Sequence, residues 1–303
     1  MLSSVPRAVL LCSFALALLA LPAAAQQDLG RLRAALEQRI ARHDGTVGLA
    51  LIDLARGDTL SIRGDEPFPT QSVIKVPILV ELFHQIEHGK LRLDDPIVLV
   101  EADKKPGSGI LQFLDTPHAL TVRDAAFLMI ALSDNTATNL IIDKVGIRNV
   151  GTRMDSLGLP RTKLHSKTFD RSTSIAPDSS VRYGLGVTTP LESARLLAMI
   201  YRGEVVSADA SASMIEMLRE QFYNEKLPRH LPAGVRVAHK TGEGSESRND
   251  CGIVYAPGGD YVLCVFTNRN ADRSWRIDNE GHVVIADLAR IVHDALRGEA
   301  ATQ

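Results

Sequence analysis

Residues 72–89 read Ser72-Val73-Ile74-Lys75-Val76-Pro77-Ile78-Leu79-Val80-Glu81-Leu82-Phe83-His84-Gln85-Ile86-Glu87-His88-Gly89, and here the chain passes from strand signals to a helical pattern. Upstream, Thr46 to Asp53 and Thr59 to Arg63 bracket Ala55-Arg56-Gly57-Asp58 as the two arms of a hairpin. Further upstream, Leu29, Leu32, Leu36 and Ile40 recur at helical spacing and predict a helix ending near His43. Downstream of Gly89 the signals are nearly all helical to about Tyr201. Thr121 and Asp124 form a capping-box pair for a helix through Leu128 and Leu132. After an interruption at Ser133 another helix runs through Leu140 and Ile141 and stops before Gly146. The segment Leu164 to Thr189 is rich in Ser, Asp, Pro and Gly without either period and reads as a long loop, a type that is functional or disordered in compact domains. Strand signals return at Val235 to Lys240, Cys251 to Tyr255 and Tyr261 to Phe266, before a closing helix over Val283 to Leu296. Strands at both ends and helices between them imply an α+β fold. Its core is an antiparallel five-stranded sheet built from both ends of the chain, flanked by terminal helices, with an all-helical lobe inserted. The expected organisation is one catalytic domain over 26–303, with a sheet lobe at about 26–66 and 205–303 and a helical lobe at about 67–204.

The 303 residues are 45% apolar with a net charge of −2, ordinary for a globular enzyme. No Lys/Arg-rich block offers a footprint for nucleic acid or for an anionic membrane surface, so neither is an expected partner. Arg7 precedes an apolar run, Ala8 to Pro22, and Ala23-Ala24-Ala25 supplies small residues for cleavage. A cleavable leader over residues 1–25 implies a periplasmic or secreted protein. No later segment approaches the roughly 20 apolar residues that a membrane span needs, and a monomer is expected. Of the three cysteines, Cys12 lies in the leader, while Cys251 and Cys264 flank Ala256-Pro257-Gly258-Gly259-Asp260. A hairpin there would bring the two face to face. The plainer reading is two small buried thiols, because directly paired cross-strand disulfides are geometrically demanding, and the bond itself stays open.

Ser72 and Lys75 are three apart at a helix start, so hydroxyl and amine share one face. A Ser hydroxyl becomes a nucleophile when a neighbouring base takes its proton, and Lys serves if burial and nearby cations lower its pKa. Pro77 places Ser72 very near the helix start or bends the helix there. Alone, one such pair is expected per chain of this length by chance. Two triplets change that. Ser133-Asp134-Asn135 interrupts two helices, offering a second hydroxyl and an amide. Lys240-Thr241-Gly242 ends a strand, where an ammonium and a hydroxyl can hold a carboxylate while Gly lets substrate approach the backbone. Both triplets in this order after Ser72 are a coincidence on the order of one in a thousand.

Ser-x-x-Lys, Ser-Asp-Asn and Lys-Thr-Gly in this order are similar to the signature of class A β-lactamases and penicillin-binding proteins. The resemblance extends from about Leu29 to Leu296 and includes Val122-Arg123-Asp124, Asn135 to Leu140, and Thr188-Thr189-Pro190. It implies a β-lactamase/transpeptidase-like fold and a small-molecule β-lactam or peptide-like substrate, with no cofactor. It implies Ser72 as acylated nucleophile, Lys75 as its proton acceptor and Ser133 as relay to the leaving nitrogen. Asn135 would bind the substrate amide, and Lys240 with Thr241 its carboxylate. The backbone N–H groups of Ser72 and Glu243 would form the oxyanion hole. Arg248 falls where some family members carry a carboxylate-binding Arg, the other reading being a solvated Arg at a strand end.

The chain departs from the class A pattern in the long loop, where Glu-x-x-Leu-Asn is typical: no Glu occurs from Thr162 through Pro190. The Glu position falls near Thr168. Asp170 and Asp178 are the only carboxylates there, leaving Asp170 either as a deacylation base or as a loop-stabilising ion-pair partner of Arg171 or Arg182. Acylation with Lys75 as base but slow release is the expected chemistry. That pattern also fits a penicillin-binding DD-carboxypeptidase, an esterase-like hydrolase or a non-catalytic sensor that traps ligand. A competing motif, His84-Gln85-Ile86-Glu87-His88, matches the His-x-x-Glu-His of inverted zinc peptidases, yet its place at a helix end also suits His against the helix dipole, and no metal is expected. Gly107 to Leu111 is expected to form part of one cleft wall. His239 is expected to be structural, beside Lys240.

Overall fold

The computed structural model describes residues 23–297. Along the chain run α1 (Ala23–Ile40), β1 (Thr46–Asp53), β2 (Thr59–Ile62), β3 (Phe68–Pro69), α2 (Lys75–Glu87), β4 (Pro96–Leu99), β5 (His118–Thr121), α3 (Val122–Ala131), α4 (Asn135–Val145), α5 (Ile147–Ser156), β6 (Lys163–Leu164), α6 (Pro177–Tyr183), β7 (Gly186–Thr188), α7 (Pro190–Tyr201), α8 (Ala208–Arg219), β8 (Arg236–Glu243), β9 (Arg248–Tyr255), β10 (Tyr261–Asn268) and α9 (Glu280–Arg297). The leader expected over residues 1–25, and Cys12 with it, lies outside the described residues except for the helical start at Ala23.

Alternation of side chains builds two cores on one sheet. Val47, Leu49 and Leu51 of β1 and Leu263 and Val265 of β10 face α1 and α9, packing on Leu36, Ile285 and Leu288. Ala50, Ile52, Val262, Cys264 and Phe266 face the other way, into a core that runs without a break through α2, α3, α4 and α7. Both faces are covered, which is why these strands read as nearly continuous apolar runs. The sheet is antiparallel in the order β2-β1-β10-β9-β8, so β8 is an edge strand. The five strands expected from the sequence are the five of this sheet.

The expected hairpin closes with Asp53 Oδ1 accepting from the N–H groups of Ala55 and Arg56 at 2.9 Å each. The capping box at α3 forms as read: Thr121 N donates to Asp124 Oδ2 at 2.8 Å and Asp124 N to Thr121 Oγ1 at 3.1 Å. Cys251 lies opposite Cys264 in the register, both buried and free. Elements of two to seven residues escaped the pattern reading: the three-stranded β3-β7-β6 sheet, the β4-β5 pair, and α6 within the long loop. Such pieces span too little chain to show a period. α7, grouped above with the helical lobe, packs directly on β1, β9 and β10. No helix among the described residues is long and apolar enough to cross a membrane.

Pro77 falls in the first turn of α2. Ser72 sits in a 3-10 turn, Gln71–Ile74, and the α-helix begins only at Lys75. Pro77 is then its third residue, where an N–H would have no partner within the helix.

Leu263 is fully buried at the centre of the sheet. Leu263→Ala should lower unfolding free energy by about 2–5 kcal/mol, measured by urea denaturation; an unchanged midpoint would contradict this account of the core.

Candidate active site

Three backbone features converge on one cleft of about 600 Å³: the turn before α2, the turn between α3 and α4, and the free edge of β8. Ser72, Ser133, Asn135, Thr241 and Glu243 line it, with Gly107 and Ser108 on one wall and residues 166–169 of the long loop on another.

Lys75 is fully buried beneath the cleft. Its Nζ donates to Ser133 O at 2.7 Å, Ser133 Oγ at 3.1 Å and Asn135 Oδ1 at 3.1 Å. Burial, and then the charge of Lys240, hold its amine well below the ordinary lysine range, against a pull from Asp134. Asn135 uses its other end as well, Nδ2 donating to Pro106 O at 2.9 Å.

Asp134 organises the surrounding backbone. Oδ1 caps α4 through Ala137 N at 2.9 Å, while Oδ2 accepts from Ile110 N at 2.7 Å and Leu111 N at 2.9 Å, tying the cleft wall to the triplet. The wall approaches so closely that a Cβ on Gly109 would lie 2.2 Å from the Asp134 carboxyl. Ser133 at φ 52 and Gln71 at φ 46 are non-glycine residues in the left-handed region, flanking the two hydroxyls of the site. Strain of this kind persists where surrounding contacts over-determine it.

The β8 edge meets the turn of Ser72 backbone to backbone. A Cβ on Gly242 would stand 2.7 Å from Thr70 O and 3.1 Å from Ser72 N. Gly244 N donates across the ladder to Ser247 O at 3.0 Å, so by alternation the N–H of Glu243 points off the free edge. Lys240 is fully buried. Burial brings its amine down to about 7, with Asp250 opposing and Lys226 assisting. His239 is structural as expected, its Nδ1 2.9 Å from Asp250 Oδ1.

Two expected site residues are not gathered here. Arg248 is fully buried rather than solvated. It lies outside the cleft lining, its guanidinium donating to Ser247 O at 2.9 Å, Ser274 O at 2.6 Å and Gly244 O, with Trp275 4.8 Å away across its ring. Asp170 also lies outside the lining. It accepts from Ser172 Oγ at 2.5 Å instead of pairing with Arg171 or Arg182, and that bond, with Lys105 and Lys167 nearby, keeps its carboxyl below the ordinary range against a small opposing effect of burial. Thr168 stands in the lining. Asn139 clamps its backbone, Oδ1 accepting from Thr168 N at 2.8 Å and Nδ2 donating to Thr168 O at 3.0 Å, while the buried Thr168 Oγ1 has no partner. His84 and His88 end α2, roughly 15–20 Å along the helix from Lys75, with His88 Nδ1 bonded to His84 O at 2.8 Å.

Sequence reasoning missed Tyr223, Phe169 and Trp275, which border the cleft. It also missed Lys226, fully buried between Glu225 at 3.1 Å and Glu243 at 2.5 Å. Glu225, Glu243 and His282 have metal-ligand spacing, but the Lys226 ammonium already supplies a cation there.

The sequence matches the Beta-lactamase enzyme family over residues 31–296. The chain belongs to that family. This β-lactamase-family enzyme is 26% identical over 269 residues to a β-lactamase of Rhodobacter capsulatus, covering 87% of this chain and 89% of that one. A β-lactamase from Sphaerobacter thermophilus DSM 20745 matches in structure with a TM-score of 0.78 and 31% identity, over 87% of this chain and 96% of the other. PBP-A matches with a TM-score of 0.78 and 30% identity, over 88% and 96%. The enzyme is a β-lactamase-like serine hydrolase with an α+β fold.

Lys240 titrates at about 7 in the folded protein against an ordinary 10.5. Between these values the unfolded chain binds more protons, so through this group stability rises with pH across that window and is lowest below 7. Lys240→Met should therefore gain most on the wild type at and below pH 7, the difference shrinking toward pH 10.5. A pH-independent difference in urea midpoints would refute the assignment.

Proposed function

We propose that this enzyme opens β-lactam-like amides through an acyl-enzyme on Ser72 and releases the acyl group slowly. The observation that carries the proposal is the fully buried Lys75 amine, held on Ser133 and Asn135 and depressed in pKa beneath the hydroxyl-lined cleft. Lys75 takes the Ser72 proton as Oγ attacks the amide carbon. The oxyanion is received by the N–H groups of Ser72 and Glu243, and Ser133 passes a proton to the leaving nitrogen as the C–N bond breaks. Asn135 binds the substrate amide, and Lys240 with Thr241 faces the carboxylate end.

Slow release is supported by the long loop. Deacylation needs a base on water, an assistance of about 10²–10⁴ in rate, and Thr168 occupies the cleft where the resemblance puts that base while Asp170 is turned to Ser172. The structural relative PBP-A includes a variant captured as an acyl-enzyme with penicillin G, which supports the same intermediate here. A penicillin-binding DD-carboxypeptidase or esterase-like hydrolase is the second reading, favoured by the same missing carboxylate. We place the enzyme outside the cytoplasm as a monomer, one catalytic unit following the leader-like residues 1–25.

Intact-protein mass spectrometry after mixing with a chromogenic cephalosporin tests this directly. A persistent adduct absent from Ser72→Ala, with little colour change, is expected. Rapid colour without an adduct would refute slow release, and no adduct with no turnover would refute the β-lactam assignment. Thr168→Glu should speed loss of the adduct by about 10²-fold or more; an unchanged rate would show that position 168 does not face the hydrolytic water.

A further inference from the structure

The register of the sheet decides how Cys251 and Cys264 face each other. At the β8-β9 turn Gly244 N donates to Ser247 O at 3.0 Å, and alternation from there makes Lys240 and Cys251 a hydrogen-bonded pair. The backbone N–H and C=O of Cys251 therefore point to β8. Beyond the end of β1, Leu54 N donates to Asp260 O at 3.0 Å, and the same count makes Ala50 and Cys264 a hydrogen-bonded pair. The Cys264 backbone thus points to β1. Between β9 and β10 the two cysteines are left as a non-hydrogen-bonded pair, the kind in which opposite Cα atoms come to about 4.5 Å and side chains stand closest. That spacing lies within the range of about 4.4–6.8 Å that a disulfide bridges. The buried thiols already meet, hydrogen-bonded to each other.

The pair lies behind the site. Both side chains enter the core that α7 closes, where Ser193 bonds to Cys251. Cys251 also lines a small cavity with Thr70 and Val73, which flank Gln71 and Ser72. Burial holds both thiols above their ordinary range, so neither is a ready nucleophile once α7 covers this face. Any exchange belongs to the time before the face closes. We propose that Cys251 and Cys264 are a disulfide site, oxidised as the chain folds outside the cytoplasm, and that the bond braces β9 against β10 behind the turn of Ser72. The inference rests on the placement of the enzyme outside the cytoplasm. The oxidant is a disulfide carrier, such as oxidised glutathione or a dithiol oxidoreductase in its disulfide form. One cysteine thiolate attacks the carrier, breaking its S–S bond and releasing one carrier thiolate. The second cysteine thiolate then attacks the protein sulfur of that mixed disulfide, forming the Cys251–Cys264 bond and releasing the other. The two cysteine protons pass by way of solvent to the two carrier sulfurs, and the carrier gains the two electrons that the pair loses.

Cleavage by trypsin after Arg248 and Arg269 yields one peptide, residues 249–269, that holds both cysteines and no third. The test labels free thiols with iodoacetamide in guanidinium and then reads the mass of this peptide. Two preparations are compared: enzyme exported by a bacterial host from the full chain, and enzyme refolded with oxidised and reduced glutathione. In both, the peptide should be unlabelled and two hydrogens lighter than the dithiol, and should take two labels only after reduction. Two labels without reduction in both preparations would overturn the proposal. A bond in the glutathione preparation alone would support the site and defeat the placement outside the cytoplasm. The oxidised enzyme should also unfold at a higher urea concentration than enzyme refolded in reductant, a difference that Cys264→Ala abolishes. Equal midpoints for the oxidised and reduced wild type would overturn the bracing role.

Discussion

A lysine side chain with no exposed surface sits at the junction of every element that makes the site. Lys75 begins α2, whose apolar flank is core, and its Nζ reaches across to the carbonyl and hydroxyl of Ser133 and to Asn135. Burying an amine is unfavourable unless its bonds are satisfied, so the turn between α3 and α4 must present these oxygens at the right places. Asp134 makes that turn rigid by capping α4 and gripping the wall at Ile110 and Leu111. The left-handed backbone of Ser133 follows from the same demand. Loss of the proton eases the burial, which is why the amine is held below the ordinary lysine range.

Much of this was legible beforehand because it depends on local pattern. The five strands alternate or run apolar, Thr121 and Asp124 announce their helix, and the three motifs fall at element ends where the structure brings them together. Long-range partners were not legible. Arg248 reads as an ordinary strand-end arginine until Ser274 O, from a distant loop, and the Trp275 ring are seen around it. Lys226 belongs to no motif, and its distant partner Glu243 stands at the end of a strand, itself bonded to His282 at the start of α9. Asp170 differs in that its partner is local: a short bond from Ser172, two residues on, decides its direction.

The long loop is held in place by backbone contacts to a buried amide side chain. Asn139 accepts from Thr168 N and donates to Thr168 O, fastening the loop to α4. The side chain so presented is a hydroxyl with no partner, too weakly basic to activate water.

The sheet joins β1 to β10, pairing Thr46 with Asn268 and Asp53 with Tyr261. The strand made early therefore waits for one made near the end of synthesis, and α1 waits for α9. Pairing strands so far apart in sequence raises the contact order and slows folding more than it costs stability. A chain wired this way stays open while it is being made and completes its central layer only when its last strands have emerged.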